Sequence, residues 1–191
     1  MRTSASAFAI LLLSSTAAAD AQFSGRLDLV PFGEIHTKEG DINDITVDTE
    51  FGYGIGGVIE FGVARNVMIG FAPRYLFHVK GEPHRDGGSQ LDLAARLKAH
   101  FPVSPRASLF GFLSPGYSKV YLPDGSIFAG LDPGGLILGL GGGADIMMTP
   151  TVYLTIELGY TFGFQSDSEG GAKYTYATSL MHLGFGVGKR F

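Results

Sequence analysis

The stretch Tyr153–Phe164, "YLTIELGYTFGF", alternates between large apolar residues and small or polar residues. From Leu154 to Phe164 every second position is apolar, and the positions between them carry threonine, glutamate or glycine. A period of two residues indicates a β-strand whose two faces meet different surroundings. The stretch is twelve residues long, which is unusual for a strand of a soluble domain, whereas a tilted membrane-spanning strand needs about 9–11 residues. The stretch therefore predicts a strand that crosses a membrane.

The same alternation recurs along the chain, and it is interrupted by glycines that disfavour helices. A glycine inside a helix costs about 1 kcal/mol, so β-structure is the better interpretation of these segments. The predicted strands are 26–36, 50–62, 66–80, 90–101, 107–121, 135–147, 153–164 and 176–191. The facing of Ala107–Tyr121 stays open, because two apolar sets compete there: Phe110 and Phe112 against Leu109, Leu113 and Tyr117.

The connections between these strands alternate in length. Three are short turns, "VARN", "PVSPR" and "TPT", while the other four are longer and more polar: 37–49, 81–89, around 123–133, and 165–173. Short turns on one rim and long loops on the other are typical of outer-membrane barrels. We therefore predict an all-β fold, an eight-stranded antiparallel up-and-down transmembrane β-barrel, with both chain ends on the short-turn side.

The first 21 residues have the layout of a secretory signal peptide. Arg2 supplies a positive charge, Phe8–Leu13 is a short apolar block, and "TAAADAQ" offers small residues for cleavage. The apolar block is far shorter than the ~20 residues that span a bilayer as a helix. We expect a signal peptide over 1–21 and a barrel domain over 22–191.

The composition excludes several classes of protein. The chain has no cysteine, so disulfides and a lipid-anchored cysteine are excluded, and its net charge of -4 argues against nucleic acid as a partner. Only 17% of residues are charged and the mean hydropathy is +0.20, yet no apolar stretch could form a spanning helix. This combination favours a surface that faces lipid through strands. A soluble ligand-binding barrel is the alternative, although the glycine-rich polar row suits a water-exposed surface poorly.

If the apolar row faces lipid, the other row fills a narrow lumen, where charges must be paired. On this register seven acids and six bases point inward, and we expect interstrand ion pairs and a small conductance. The predicted lumen charge network is Asp28, Glu34, Glu60, Arg74, Asp92, Arg96, Lys98, Asp145, Glu157 and Arg190. Glu50, Arg26 and Lys80 complete the inward set.

The glycine-rich run "LILGLGGGAD" admits two interpretations. Gly139, Gly141 and Ala144 fit the G-x-G-x-x-A pattern of a dinucleotide-binding turn. That turn must open a helix, whereas Pro150 and another strand follow here. Glycines with period two also occur at 52–56 and 184–188, which favours the thin inner wall of a barrel. No cofactor is expected.

With these strands and turns, the chain resembles the OmpA-type family of small eight-stranded outer-membrane barrels. The resemblance is carried by "LGLGGGADIMMTPTVYLTIELGYTF" and by the C-terminal "HLGFGVGKRF". It implies an outer-membrane location, contact with lipid and lipopolysaccharide, and a monomer. Phe185, Val187 and Phe191 resemble the signal that the barrel-assembly machinery reads, from which Lys189 departs.

The same resemblance covers structural, adhesive, porin-like and a few enzymatic proteins. We expect a structural, surface-interacting or weakly porin-like role, without catalytic or metal-binding residues. A lipid A-modifying enzyme is the alternative, and it would need a histidine near a serine and an acid. His84 with Asp86, or His182 with Ser179, are the pairs that folding could bring together.

Overall fold

The computed structural model describes residues 21–39, 43–49, 51–79, 88–121, 133–169 and 172–191. The described residues form nine antiparallel β-strands. They are β1 (Ala21–Glu39), β2 (Asn43–Thr49), β3 (Gly52–Ala64), β4 (Val67–Val79), β5 (Gly88–Ser104), β6 (Ala107–Tyr121), β7 (Gly134–Met147), β8 (Val152–Glu169) and β9 (Ala172–Arg190).

The strands close into a ring. From β3 to β9 each strand pairs with the next one, and β1 pairs with both β3 and β9. β2 also pairs with β1, and its register continues that of β3: Gly33 lies opposite Thr49, and Val30 lies opposite Gly52. β2 and β3 are thus one interrupted strand of the wall, and the predicted eight-stranded antiparallel barrel is confirmed.

The two rows of side chains face in the predicted directions. On β8, Leu154, Leu158 and Phe164 are exposed on the outside, whereas Glu157 and Thr161 are buried inside. On β6 the open question is settled by burial, as Phe110 and Phe112 point into the lumen and Leu109, Leu113 and Tyr117 point outward.

The glycines of β7 explain why two phenylalanines fit inside so narrow a barrel. Phe112 lies opposite Gly141, and Phe110 lies opposite Gly143. A Cβ atom at Gly141 would come within 2.7 Å of Phe112 Cζ, and one at Gly143 within 2.6 Å of Phe110 Cζ. The absence of side chains at Gly141 and Gly143 therefore provides the space that the two phenyl rings occupy.

Two of the predicted loops are wrong in extent, because strands continue into them. β1 runs to Glu39 and pairs with Asn43, while β8 runs to Glu169 and pairs with Ala172. The order β2-β1-β9-β8 forms an extended sheet beyond the level at which β4 ends at Val79. Polar composition suggested loops here, but backbone pairing between neighbouring strands does not depend on apolar side chains.

β1 contains a bulge that reverses its facing. The register between β1 and β9 shifts between Leu29 and Phe32, where Pro31 has no N–H to donate. Val30 before the bulge and Gly33 after it are both buried, so the alternation slips by one residue. The prediction that Glu34 points into the lumen is wrong, because this slip turns Glu34 outward.

Candidate functional site in the barrel lumen

The centre of the lumen is built around Glu157 on β8. Its Oε1 accepts a hydrogen bond of 2.6 Å from Arg26 Nη1, and its Oε2 accepts one of 2.6 Å from Arg96 Nη2. Arg26 also lies 2.9 Å, Nε to Oδ1, from Asp28 on its own strand. His182 on β9 is 3.6 Å from Glu157, Nε2 to Oε1. Strands β1, β5, β8 and β9 thereby meet at one carboxylate.

A second set of contacts joins this centre to the short-turn end. Arg96 Nε lies 3.0 Å from Glu60 Oε1, and Lys98 Nζ lies 3.4 Å from Glu60 Oε2. Lys98 also donates to Asp145 Oδ2 at 2.9 Å. Gln22 Nε2 donates to Glu60 Oε2, the same oxygen that Lys98 contacts. We call the acids, arginines and lysine of these two sets the central cluster: Arg26, Asp28, Glu60, Arg96, Lys98, Asp145 and Glu157.

Nearer the loop end, Arg74 and Asp92 form a separate pair. Two nitrogens of Arg74 contact Asp92 Oδ2, Nη2 at 2.6 Å and Nε at 3.1 Å. Arg74 Nη2 also donates to Thr161 Oγ1 at 3.2 Å, and Gln90 Nε2 donates to Asp92 Oδ1 at 2.7 Å. This pair is therefore held from three strands.

The inward phenylalanines of β6 pack against two cations of the central cluster. The Arg96 guanidinium lies 4.0 Å from the centre of the Phe112 ring, and Lys98 Nζ lies 4.1 Å from that of Phe110. Both distances suit cation–π contacts, which gain strength where the cation is removed from water. The rings stabilise the two cations on the side that the carboxylates leave open.

The buried charges nearly balance. Five acids (Asp28, Glu60, Asp92, Asp145 and Glu157) and four bases (Arg26, Arg74, Arg96 and Lys98) are buried in the described barrel. Removing an ion from water costs several kcal/mol, so it is tolerated only with opposite charges and hydrogen bonds around it. Each of the nine has an oppositely charged partner within 4 Å, which explains how the lumen accommodates them.

Two residues of the predicted network lie elsewhere. Glu34 is on the outer surface, where its Oε2 is 3.4 Å from Nε2 of His36. Arg190 is half-buried at the short-turn mouth and forms no ion pair with any side chain that the structure describes, contrary to its predicted place in the network. Glu50 and Lys80 are outside the described residues.

An apolar layer was missed by the sequence reasoning. Val30, Leu76 and Leu180 are completely or almost completely buried together, on the loop side of the Arg74–Asp92 pair. All three residues lie in the inward rows of their strands, so the alternation contains the signal for this apolar layer. The sequence prediction considered only the charged residues of those rows.

The free space in this lumen is small. A cavity of about 30 Å³ lies between the central cluster and the Arg74–Asp92 pair, and Ser114, Glu157 and His182 are among its lining residues. That volume suits a water molecule and is far below the several hundred Å³ of an ordinary ligand pocket. The described lumen is therefore packed across its width.

The outer surface carries aromatic residues at both ends of an apolar band. Phe51 and Tyr53 lie at the loop end of one outward row, and Phe61 lies at its short-turn end. The row from Phe51 to Phe61 is about 33 Å long, which a tilt of about 40° reduces to a height of about 25 Å. This height matches the apolar band of outer-membrane barrels.

A cluster of three polar side chains, Glu34, His36 and Ser179, lies on the outer surface just beyond this band. Glu34 lies opposite Ser179 in the β1–β9 register, and His36 lies two residues further along the same face. The sequence suggested Ser179 with His182 instead, but His182 is buried in the lumen while Ser179 faces outward. The other suggested pair, His84 with Asp86, is outside the described residues.

Within the described ranges, no helix has the length and apolarity needed to cross a membrane. In the same part of the chain, no three histidine, aspartate or glutamate side chains are grouped so that they could hold a metal ion.

A closed barrel with an apolar outer band and a charged, packed interior defines an integral outer-membrane β-barrel protein. The family described as "Outer membrane protein beta-barrel domain" matches residues 5–191, so the chain belongs to this family and its location is the outer membrane. The resemblance to small eight-stranded outer-membrane barrels is thereby confirmed.

Solved structures show the same fold. The outer membrane protein OprG from Pseudomonas aeruginosa is 16% identical, with a TM-score of 0.63 over 91% of this chain and 96% of that one. The outer membrane protein AlkL, solved in DMPC lipid bilayers, is 14% identical, with a TM-score of 0.57 over 91% of this chain and 90% of that one. No curated protein matches the chain in sequence.

Proposed function

We propose that this barrel has a structural and surface-interacting role in the outer membrane, with a lumen closed to all but very small solutes. It acts as a monomer without catalysis, in contact with membrane lipid and lipopolysaccharide. The packed, ion-paired lumen carries this proposal, since the cavity of about 30 Å³ is too small to form a pore. The extended sheet of β2, β1, β9 and β8 is the part that would meet surface partners.

The energetics of the lumen support closure. Opening a path past the central cluster requires Glu157 to leave Arg26 or Arg96, both of which it contacts at 2.6 Å. Breaking a buried pair without replacement costs about 3–5 kcal/mol. Such an opening is populated below about 1% of the time, which allows at most a weak, intermittent conductance.

Planar bilayer recordings test the closed lumen. The wild-type protein is expected to give no stable openings, while Glu157→Ala, which leaves Arg26 and Arg96 without their shared carboxylate, is expected to raise the leak. Ser166→Ala, at an exposed position on the same strand, serves as the control. Stable porin-sized openings of the wild-type protein would overturn the proposal.

The outward row at the end of β9 supports its proposed role as an assembly signal. Phe185, Val187 and Phe191 are exposed by 43%, 57% and 71%, so a machinery that receives the strand from the membrane side could reach all three. Phe191→Ser is expected to slow insertion into vesicles that contain the barrel-assembly machinery. Phe101→Ser removes an equally outward phenylalanine at the same rim of β5, and equal slowing there would argue against a C-terminal signal.

A second candidate function, hydrolysis of a lipid ester, is favoured by the group on the outer surface. Glu34, His36 and Ser179 supply an acid, a base and a hydroxyl at the level of the outer headgroups. A serine can attack an ester when a histidine accepts its proton. Mass spectrometry of lipid A and phospholipids, incubated with the wild-type protein and with Ser179→Ala, decides the matter. Identical profiles remove this candidate.

A further inference from the structure

The short-turn rim of the barrel carries exposed bases and no acidic side chain among the residues that the structure describes there. Arg65 lies in the turn between β3 and β4, Arg106 lies in the turn between β5 and β6, and Lys189 is on the outer face near the end of β9. The third short turn, around Pro150, has no charged residue. We call Arg65, Arg106 and Lys189 the cationic rim.

The spacing of these bases around the ring distinguishes between kinds of partner. The strand order places Arg65 and Arg106 two strands apart, and Lys189 is separated from both by further strands. A protein or peptide would approach one side of the rim and would need the charges on that side. A layer of lipid headgroups surrounds the barrel and meets charges at any point of the circumference.

The depth of the rim agrees with a lipid partner. Each base is near an exposed phenylalanine at the short-turn end of the barrel: Phe61 before Arg65, Phe101 before Arg106, and Phe191 after Lys189. Lys189 Nζ lies 5.0 Å from the centre of the Phe191 ring. A lysine that lays its aliphatic chain along an apolar surface carries its ammonium to the headgroup level.

The two rims of the barrel differ in charge. In the amino-acid sequence the four long connections are rich in aspartate and glutamate, while the three short turns contain neither. In outer-membrane barrels the short turns face the periplasm. The cationic rim therefore meets the headgroups of the inner leaflet.

We propose that Arg65, Arg106 and Lys189 form a binding surface for the headgroups of anionic phospholipids in the periplasmic leaflet. The attraction is electrostatic, so it is sensitive to salt and does not require one fixed lipid site. This proposal rests on the membrane fold and location, and it is independent of whether the lumen is closed. It also gives a role to Lys189, the residue that departs from the resemblance to the C-terminal assembly signal.

Spin-labelled lipids in vesicles of the reconstituted full-length protein test the proposal. The relative association of labelled phosphatidylglycerol and labelled phosphatidylcholine with the barrel is measured by electron paramagnetic resonance. The wild-type protein is expected to prefer phosphatidylglycerol by about twofold to fivefold at low salt, and to lose the preference in high salt. The triple variant Arg65→Gln/Arg106→Gln/Lys189→Gln is expected to show equal association at both salt concentrations.

Lys119→Gln is the matched control, because it removes one outward base near the opposite rim. This variant is expected to keep most of the preference, and heat-modifiable gel mobility confirms that each variant is folded. A wild-type protein without preference would overturn the proposal, as would a triple variant that retains it. Because Lys119→Gln removes one charge and the triple variant removes three, a loss in Lys119→Gln of a third or more of the loss in the triple variant would show that overall charge, and not the cationic rim, attracts the lipid.

Discussion

Glu157 and the glycines opposite the inward phenylalanines decide how the interior of this barrel is filled. The carboxylate of Glu157 receives two guanidinium groups, and the bare backbone of Gly141 accommodates the ring of Phe112. The first feature neutralises buried charge and the second creates space for the ring that packs on Arg96. Neighbouring strands therefore both neutralise the buried charges and provide the space for the aromatic rings.

Arg96 is the residue on which the central cluster depends most. Arg96→Met keeps a similar volume but leaves Glu60 without its guanidinium and Glu157 with Arg26 as its one remaining guanidinium. A loss of about 3 kcal/mol or more in the free energy of unfolding is expected. Urea titration in neutral detergent, read from gel mobility, measures this loss. Arg65→Met, at an exposed turn, is the control and should change the free energy by less than about 0.5 kcal/mol; similar values for both variants would contradict the ion-paired lumen.

Two glycines on the same face of β7 make a second comparison. A Cβ atom at Gly141 would lie 2.7 Å from both Phe112 Cζ and Gly159 Cα, whereas one at Gly139 would be 3.4 Å from Ser114 Cβ, an ordinary contact. Gly141→Ala is expected to destabilise the barrel by about 1–3 kcal/mol, and Gly139→Ala by clearly less. The same titration compares them. If Gly141→Ala were as stable as the wild-type protein, the packing of Phe112 against β7 would be refuted.

At the scale of the strand, period-two alternation predicted the wall of the barrel well, because each residue's face follows from its neighbour's. It failed at β1, where the bulge at Pro31 shifts the alternation and places Glu34 outside. It also left β6 open, since both rows there are apolar and only the glycines of the paired strand β7 select Phe110 and Phe112 for the interior. The side chains of the paired strand are not contained in the pattern of a single strand.

Labelling of single introduced cysteines tests the bulge. The protein has no native cysteine, so only the introduced thiol reacts. Val30 and Glu34 have the same parity, so a regular strand would place both on one face. Glu34→Cys is expected to react with a water-soluble maleimide at least about ten times faster than Val30→Cys, whose side chain is buried. Equal rates would mean that β1 continues without the slip.

At the scale of the whole molecule, the protein is an outer-membrane barrel with lipid outside and nine buried acidic and basic side chains inside. The alternation in the sequence was sufficient to predict the lipid-facing exterior. The pairing of the charges inside required the three-dimensional structure, because the partners of Glu157 come from strands distant in sequence. We propose that these paired charges close the lumen.

Exchange of arginine side-chain protons with water, followed by nuclear magnetic resonance in lipid nanodiscs, tests this claim most directly. Arg26, Arg74 and Arg96 are buried in the lumen, while Arg65 and Arg106 are exposed at the turns and serve as internal references. In a closed, ion-paired lumen the Nε–H protons of the three buried arginines should exchange at least about a hundredfold more slowly than those of the two exposed ones. Equal exchange rates for all five arginines would contradict the account, because they would require a lumen open to water.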